Sequence, residues 1–363
     1  MHEALYDLWL TTLPGLGLRN QLRLLAIFGS SQAVYEQPKA ILGEAFRVLG
    51  IIEKSTWENL LRKDLVTAEK TARTCRDKDI GILMMKDPCY PQRLLAIYDP
   101  PILLYYTGNI QETDGDGVAI VGARKATPYG KWVSEELGKK VAECGVAVIS
   151  GMAYGIDSAS HRGALSAGGR TIAILGCGPD ICYPTSNRSL MEEIQKNGAV
   201  VSEFPPGMPP LAANFPRRNR LISGMARCLI ITEAGLASGS LITAEYALEQ
   251  GKDVYAVPGN INSIYSVGTN KLIRDGATPL IRIADIVSEL GLASREQQQE
   301  SVLIRLGNDE KIIYQAIRNL GTGSTDSLCR ATGKSVPEVH ALVTILEIKG
   351  IVETAQGKIF IAK

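Results

Sequence analysis

Four glycine-rich turns, GARKATPYG (122–130), SGMAYGID (150–157), LGCGPD (175–180) and EAGLASGS (233–240), carry the residue types that let a backbone approach a phosphate. Glycine removes the Cβ that would hold the ligand off, and a helix beginning after such a turn adds the partial positive charge of its first N–H groups. None of the four is a dinucleotide fingerprint. GARKAT lacks the second and third glycines, and no GxxxxGK[ST] stands anywhere in the chain, which argues against a P-loop ATPase. Two residues beyond Gly122 stands Arg124, a fixed-charge fork that suits either a phosphate or a neighbouring acid. The densest basic stretch, NFPRRNRLISGMAR (214–227), holds Arg217, Arg218, Arg220 and Arg227 without one acid. Phe215 opens it, and an aromatic beside arginines is the pairing with which proteins hold single-stranded nucleic acid, the base stacking while the backbone is neutralised. A core phenylalanine and a solvated basic helix face are the plain alternatives. Asn219, between two arginines, suits a ligand contact or a loop brace.

Groups for catalysis are sparse. The chain has three histidines, His2, His161 and His340. His161 lies four residues beyond Asp157, a spacing that brings both to one helix face and reads first as a surface pair. Glu203 and Glu233 stand near strand ends without a partner at diagnostic spacing. The seven cysteines form no CxxC, and the closest pair, Cys177 and Cys182, has no His or second Cys pair at metal-like spacing. No catalytic residue, metal or cofactor is expected, and the thiols read as those of a reduced, cytoplasmic protein.

These residues need a scaffold, and the apolar pattern supplies one. From Gly117 onward VAIVG (118–122), VAVIS (146–150), TIAIL (171–175), AVVS (199–202), CLIIT (228–232) and DVYAVP (253–258) alternate with helix-like stretches such as SEELGKKVAECG, whose Leu137, Val141 and Cys144 form one stripe. Near-continuous apolar runs of that length suit strands covered on both faces, joined by crossover helices. The expected fold is α/β, a Rossmann-like doubly wound parallel sheet, with ligands at the carboxyl ends of its strands. A proline-rich preamble, 80–110, is expected to pack on the sheet's edge. The first 75 residues read as a small helical domain, with LPGLG (13–17) and GSS (29–31) as turns. A PGxG turn also occurs in helix-hairpin-helix modules, where its amides hold a phosphate.

The Rossmann-like domain spans 76–292. SREQQQES (294–301) lies within a polar linker over 293–301, and 302–363 shows three helix patterns and two short strands around Gly357, a winged helix-turn-helix layout. Its third helix offers Glu338, His340 and Glu347 with no Lys or Arg before Lys349, so protein contact or regulation suits it better than duplex binding.

The bulk composition agrees with several domains and is silent about partners. At roughly 150 residues per domain, 363 residues allow two or three. Lys and Arg number 39 against 38 for Asp and Glu, net +1, so nucleic-acid binding must come from a local cluster. No run approaches the roughly 18 apolar residues of a membrane span, and the N-terminus lacks the features of a signal peptide.

GAR (122–124), SGMAYGIDSASHRGAL (150–165), ILGCGPDICYP (174–184), NFPRRNRLISG (214–224), EAGLASGSLITAEYALEQGKDVYAVPGN (233–260) and GTNKLIRDGA (268–277) together resemble the DprA/Smf DNA-processing family. The flanking modules resemble members with a SAM- or helix-hairpin-helix-like N-terminal domain and a C-terminal winged helix. The resemblance implies a non-enzymatic mediator that binds single-stranded DNA, forms homodimers through the α/β domain and loads RecA during DNA uptake in natural transformation. It places the DNA-binding residues at Gly122 and Arg124, at Phe215, Arg217, Arg218, Asn219 and Arg220, and at Gly239 and Ser240. Some members carry a lysine just before the NF pair, where this chain has PPLAA. The competing reading is a nucleotide-hydrolysing enzyme of the lysine-decarboxylase-like Rossmann fold. Against it, the Pro-Gly-Gly that opens that family's loop is replaced here by Glu233, Ala234 and Gly235.

Overall fold

A run such as VAIV at 118–121 has no polar residue to offer solvent, so it is stable as a strand only where both faces are covered. The computed structural model, which describes residues 2–50, 54–291, 306–320, 322–355 and 358–361, buries all four side chains at the middle of a nine-stranded sheet. The strands are β1 (Gly81–Met84), β2 (Leu103–Gly108), β3 (Gly117–Val121), β4 (Val148–Ser150), β5 (Thr171–Ile174), β6 (Ala199–Ser202), β7 (Ala226–Ile231), β8 (Asp253–Ala256) and β9 (Thr278–Pro279). Their spatial order is β1-β2-β6-β5-β4-β3-β7-β8-β9. Strands β6 through β9 of that order pair in parallel. The chain therefore winds one way from β3 to β6 and the other way from β7 to β9. The direction reverses between β3 and β7, where an open α/β sheet leaves a crevice. The doubly wound α/β fold expected from the sequence is the one observed.

The proline-rich preamble does more than lie on the edge. Its β2 pairs antiparallel with β6, and β1 antiparallel with β2, so the sheet gains two strands. Pro88, Pro91, Pro100 and Pro101 fall between these strands, where no ladder N–H is needed.

Helices α1 to α6 (His2–Thr12, Leu18–Phe28, Ser31–Glu36, Lys39–Leu49, Lys54–Arg62, Val66–Asp77) form the N-terminal part. After β1 come α7 (Gln92–Leu95), α8 (Pro128–Glu143), α9 (Ile156–Ser166), α10 (Arg188–Asn197), α11 (Asn214–Met225), α12 (Gly239–Glu249), α13 (Val267–Arg274) and α14 (Asp285–Glu289). Because side chains alternate along a strand, β3 feeds two cores. Val118 and Ile120 pack with Val133, Leu137 and Val141 of α8, whereas Ala119 and Val121 pack with Leu221 and Ile222 of α11. Helices α8 and α9 touch backbone to backbone, since a Cβ at Gly163 would overlap the Glu135 carbonyl.

The LPGLG turn joins α1 to α2 with Gly15 at φ 81°, and Leu16 enters the helical core while its carbonyl accepts from Gln21 Nε2 at 2.8 Å. That core, built on Leu8, Trp9, Leu24, Leu42 and Leu60, continues into Ile102, Leu103 and Tyr105 at and within β2. Met1–Leu292 accordingly forms one compact unit and Ala293–Lys363 a second. The second holds helices Asn308–Leu320, Thr325–Thr332 and Val336–Ile348 and an antiparallel pair, Val352–Ala355 with Lys358–Ile361. Its core gathers Ile313, Tyr314, Ile317, Leu328, Val339, Val343, Leu346, Val352 and Ile359. Linker residues 293–301 and the turn at Gly357 lie outside the described residues.

Candidate nucleic-acid interface

The loop after β3, Gly122 to Thr127, and the loop after β7, Thr232 to Ser238, meet at the carboxyl ends of the two strands where the winding reverses. They are tied together: Ala123 N donates to the Glu233 carbonyl at 2.7 Å, and the Glu233 carboxylate accepts from Thr127 N at 2.9 Å and Thr127 Oγ1 at 2.5 Å. Thr127 in turn caps α8 by accepting from Gly130 N at 3.0 Å. Glycine is required where these parts touch, since a Cβ on Gly122 would stand 2.8 Å from the Glu233 carbonyl oxygen.

A cleft of about 710 Å³ opens above this knot. Gly122, Arg124, Phe215, Arg218, Asn219, Gly239 and Ser240 all line it. The first turn of α12 faces it through Ser238, Gly239 and Ser240, with Ser238 as N-cap, so a helix N-terminus points at the same space. Arg124 is exposed, and its guanidinium lies 5.5 Å from the centroid of the Phe215 ring. Among the described residues no carboxylate reaches it. Phe215 is half-buried, its ring seated over Gly176, where a Cβ would come within 3.1 Å of it.

The arginine run does not act as one strip. Arg218 is buried, 4% exposed, and donates to the carbonyls of Gly151, at 2.8 Å, and of Ile174, so it stitches the ends of β4 and β5 under the cleft. Burial draws its guanidinium down to about 10, against the pull of Asp157, and it stays cationic at neutral pH. Arg217 and Arg220 do not line the cleft. Both bond Glu203, at 3.2 and 2.6 Å, and Arg220 also pairs with Asp99 at 3.0 Å. Arg227 pairs with Asp116. Asn219 braces: its Nδ2 donates to the Gly239 carbonyl at 3.2 Å, holding α11 to the start of α12.

Asp157 and His161 are not a surface pair. Both are buried, and His161 Nδ1 meets Thr171 Oγ1 at 2.6 Å instead of Asp157. Burial pushes the imidazole down to about 3, with Arg218 and Arg162 adding to the effect, so it is neutral. Desolvation raises the Asp157 carboxyl, and Arg218 opposes that rise. All seven cysteines are free thiols, and among the described residues no group of three or more His, Cys, Asp or Glu is placed to hold a metal ion. No helix of the described residues is long and apolar enough to cross a membrane.

Several lining residues were not singled out in the sequence. Tyr183 pairs with Phe215 at 5.4 Å between centroids, and Lys125 lies exposed beside Arg124. Tyr183 follows β5, so the rule that ligands gather at the carboxyl ends of parallel strands would have found it.

A doubly wound sheet with a cationic, aromatic-lined cleft at its switch point defines a Rossmann-like protein. Within that class the chain belongs to the family described as DNA recombination-mediator protein A, whose model matches residues 81–291. The putative DNA processing protein DprA of Mycobacterium tuberculosis H37Rv is 38% identical over 264 residues, covering 71% of this chain and 68% of that protein. DNA processing protein DprA of Streptococcus pneumoniae is 43% identical over 203 residues, 56% of this chain and 72% of that one. The X-ray structure of the pneumococcal protein superposes with a TM-score of 0.69 at 35% identity, covering 78% of this chain and 97% of that one. A Helicobacter pylori DNA processing protein A, described by its single-stranded-DNA binding mode, gives a TM-score of 0.53 at 32% identity over 58% of this chain and 95% of that one.

Proposed function

We propose that this protein binds single-stranded DNA in the switch-point cleft and works, without catalysis of its own, as a recombination mediator. The observation that carries the reading is Arg124, an exposed guanidinium that forms no ion pair among the described residues, set beside a half-buried Phe215 at the mouth of a helix N-terminus. That grouping neutralises a phosphate and leaves a ring for a base, with no base-edge pattern to read. The family's description and the H. pylori relative support the same ligand. The contact set is Gly122, Arg124, Phe215, Gly239 and Ser240, with Arg218 and Asn219 holding the cleft in shape. Against the hydrolase reading, both oxygens of Glu233, a carboxylate at the switch point, are engaged by Thr127, and Asp157, which lines the cleft, is buried with the Arg218 cation beside it.

The description of the family as a recombination mediator accords with passing the strand on; that the recipient is RecA, that the protein acts as a homodimer through the α/β domain and that it does so during natural transformation are proposed from the sequence resemblance alone. A reduced, cytoplasmic setting accords with seven unpaired thiols. The C-terminal unit, read as a winged helix, presents Ile345 and Ile348 at 40% and 82% exposure on its third helix, a face for protein contact more than for phosphates.

Fluorescence anisotropy with single-stranded and duplex oligonucleotides tests the reading. With Arg217 and Arg220 turned to Glu203 and Arg218 buried, Arg124 and Lys125 are the exposed cations lining the cleft, and at ~0.7 per phosphate the slope of log affinity against log salt should be about −1.5. A slope near zero, or preference for duplex, overturns the proposal. Phe215→Ala should weaken binding by about 1–3 kcal/mol and leave the slope nearly intact, since it removes a stacking ring and no charge. A variant that loses its fold would instead mark Phe215 as core.

A further inference from the structure

The first two turns of α8 carry a feature that the cleft does not use. Tyr129 and Trp132 are 55% and 54% exposed, and their rings stand 6.3 Å apart at 38°. At a separation of three residues they share one face, beside the buried stripe of Val133, Leu137 and Val141. Two large aromatics left outward on a helix that has already filled its core contribute nothing to packing, and their exposure costs solubility. The surroundings are cationic: between Gly122 and Ser134 stand Arg124, Lys125 and Lys131 and not one acid. Arg124 and Lys125 belong to the cleft wall, and Tyr129 follows Lys125 by four residues along the chain. One turn further on, Glu135 and Glu136 change the sign of the surface.

We propose that this face is a second stacking step for single-stranded DNA, receiving the bases that leave the cleft past Arg124 and Lys125. The inference rests on the reading that the cleft holds a single strand. The occupant follows from the combination: aromatic rings alone would suit any apolar partner, but rings interleaved with lysines and continuous with a phosphate-binding loop match a polyanion that carries flat bases. The step is also preset. Thr127 holds the start of α8 through Gly130 N and is itself held by Glu233, so Tyr129 stands two residues after a fixed point. Trp132 lies about 6 Å further along the axis than Pro128, at 1.5 Å per residue.

Two oligothymidines separate this inference from the one beneath it. A chain of about 4 nucleotides fills the cleft alone, and one of about 12 reaches α8. Trp132→Ala should weaken the longer oligonucleotide by about 5- to 160-fold, the effect of losing one stacked base. It should leave the shorter within about twofold and the melting temperature unchanged, because the side chain is exposed. Trp132→Phe should keep the affinity. The longer oligonucleotide should quench tryptophan emission in the parent protein, and that quench should vanish in Trp132→Phe, since Trp9 is buried at 1% exposure and Trp57 packs against the core of the N-terminal helices, away from α8. If Trp132→Ala binds both lengths as the parent does, the strand does not cross α8 and the proposal falls. A change in sedimentation of the DNA-free variant with affinity intact would make the face a contact between copies and equally overturn it. If the parent binds neither length, the cleft reading itself has failed.

Discussion

Replacing Arg218 with alanine should cost the Met1–Leu292 unit about 3–5 kcal/mol of stability, the range for removing one partner from a buried charged network. The side chain is 4% exposed and donates to two carbonyls, Gly151 and Ile174, at the ends of neighbouring parallel strands. Its loss leaves both acceptors buried without a donor, at about 1–3 kcal/mol each, and leaves the buried Asp157 carboxyl without the cation that counters its desolvation. Arg218→Lys should recover only part of this, because an ammonium cannot spread a planar fork across two carbonyls. Urea unfolding of the three proteins measures the difference. Should Arg218→Ala unfold within about 0.5 kcal/mol of the parent while losing DNA affinity, Arg218 is a direct phosphate contact and not a strut.

Arg124→Ala should behave in the opposite way. Its guanidinium is exposed and meets no carboxylate among the described residues, so stability should hold, while single-stranded DNA binding should weaken by about 1.5–3 kcal/mol, roughly 12- to 160-fold. The salt slope should fall by about 0.7, one phosphate's share. The loop that carries Arg124 is fixed by the Ala123 and Thr127 bonds to Glu233, so its removal leaves the neighbouring geometry in place. A sharp drop in melting temperature with normal affinity in the surviving folded protein would assign Arg124 to the fold.

The contrast between these two arginines marks where the sequence stops being legible. Every parallel strand from β3 to β8 stands in the sequence as a short apolar run, and the switch point follows from their order. The glycine turns at the strand ends then locate the cleft. The arginine run was readable as charge but not as direction. Successive helical residues turn about 100°, so Arg217 and Arg220, three apart, fall on one side to share Glu203, while Arg218 turns under the sheet's ends. Glu203 lies on a distant stretch of chain, and only the folded sheet brings it there. His161 failed for the same reason: Thr171, its partner, is set by strand pairing and not by helical spacing. The preamble's strands were hidden because its four prolines suggested irregular chain, and only the structure shows that they fall between the strands.

The sheet ends in two different ways, and together they limit how the molecule can polymerise. At one margin β9 has just two residues, one of them Pro279, which has no N–H to offer a further strand. At the other, β1 is flanked by α1 and α6, and the Met84 N–H is already taken by Asp87 Oδ2 at 2.6 Å. A strand from another chain thus finds no long open ladder at either margin. Self-association of the sheet unit must run through side-chain surfaces, which saturate, and not through backbone pairing, which propagates into fibres.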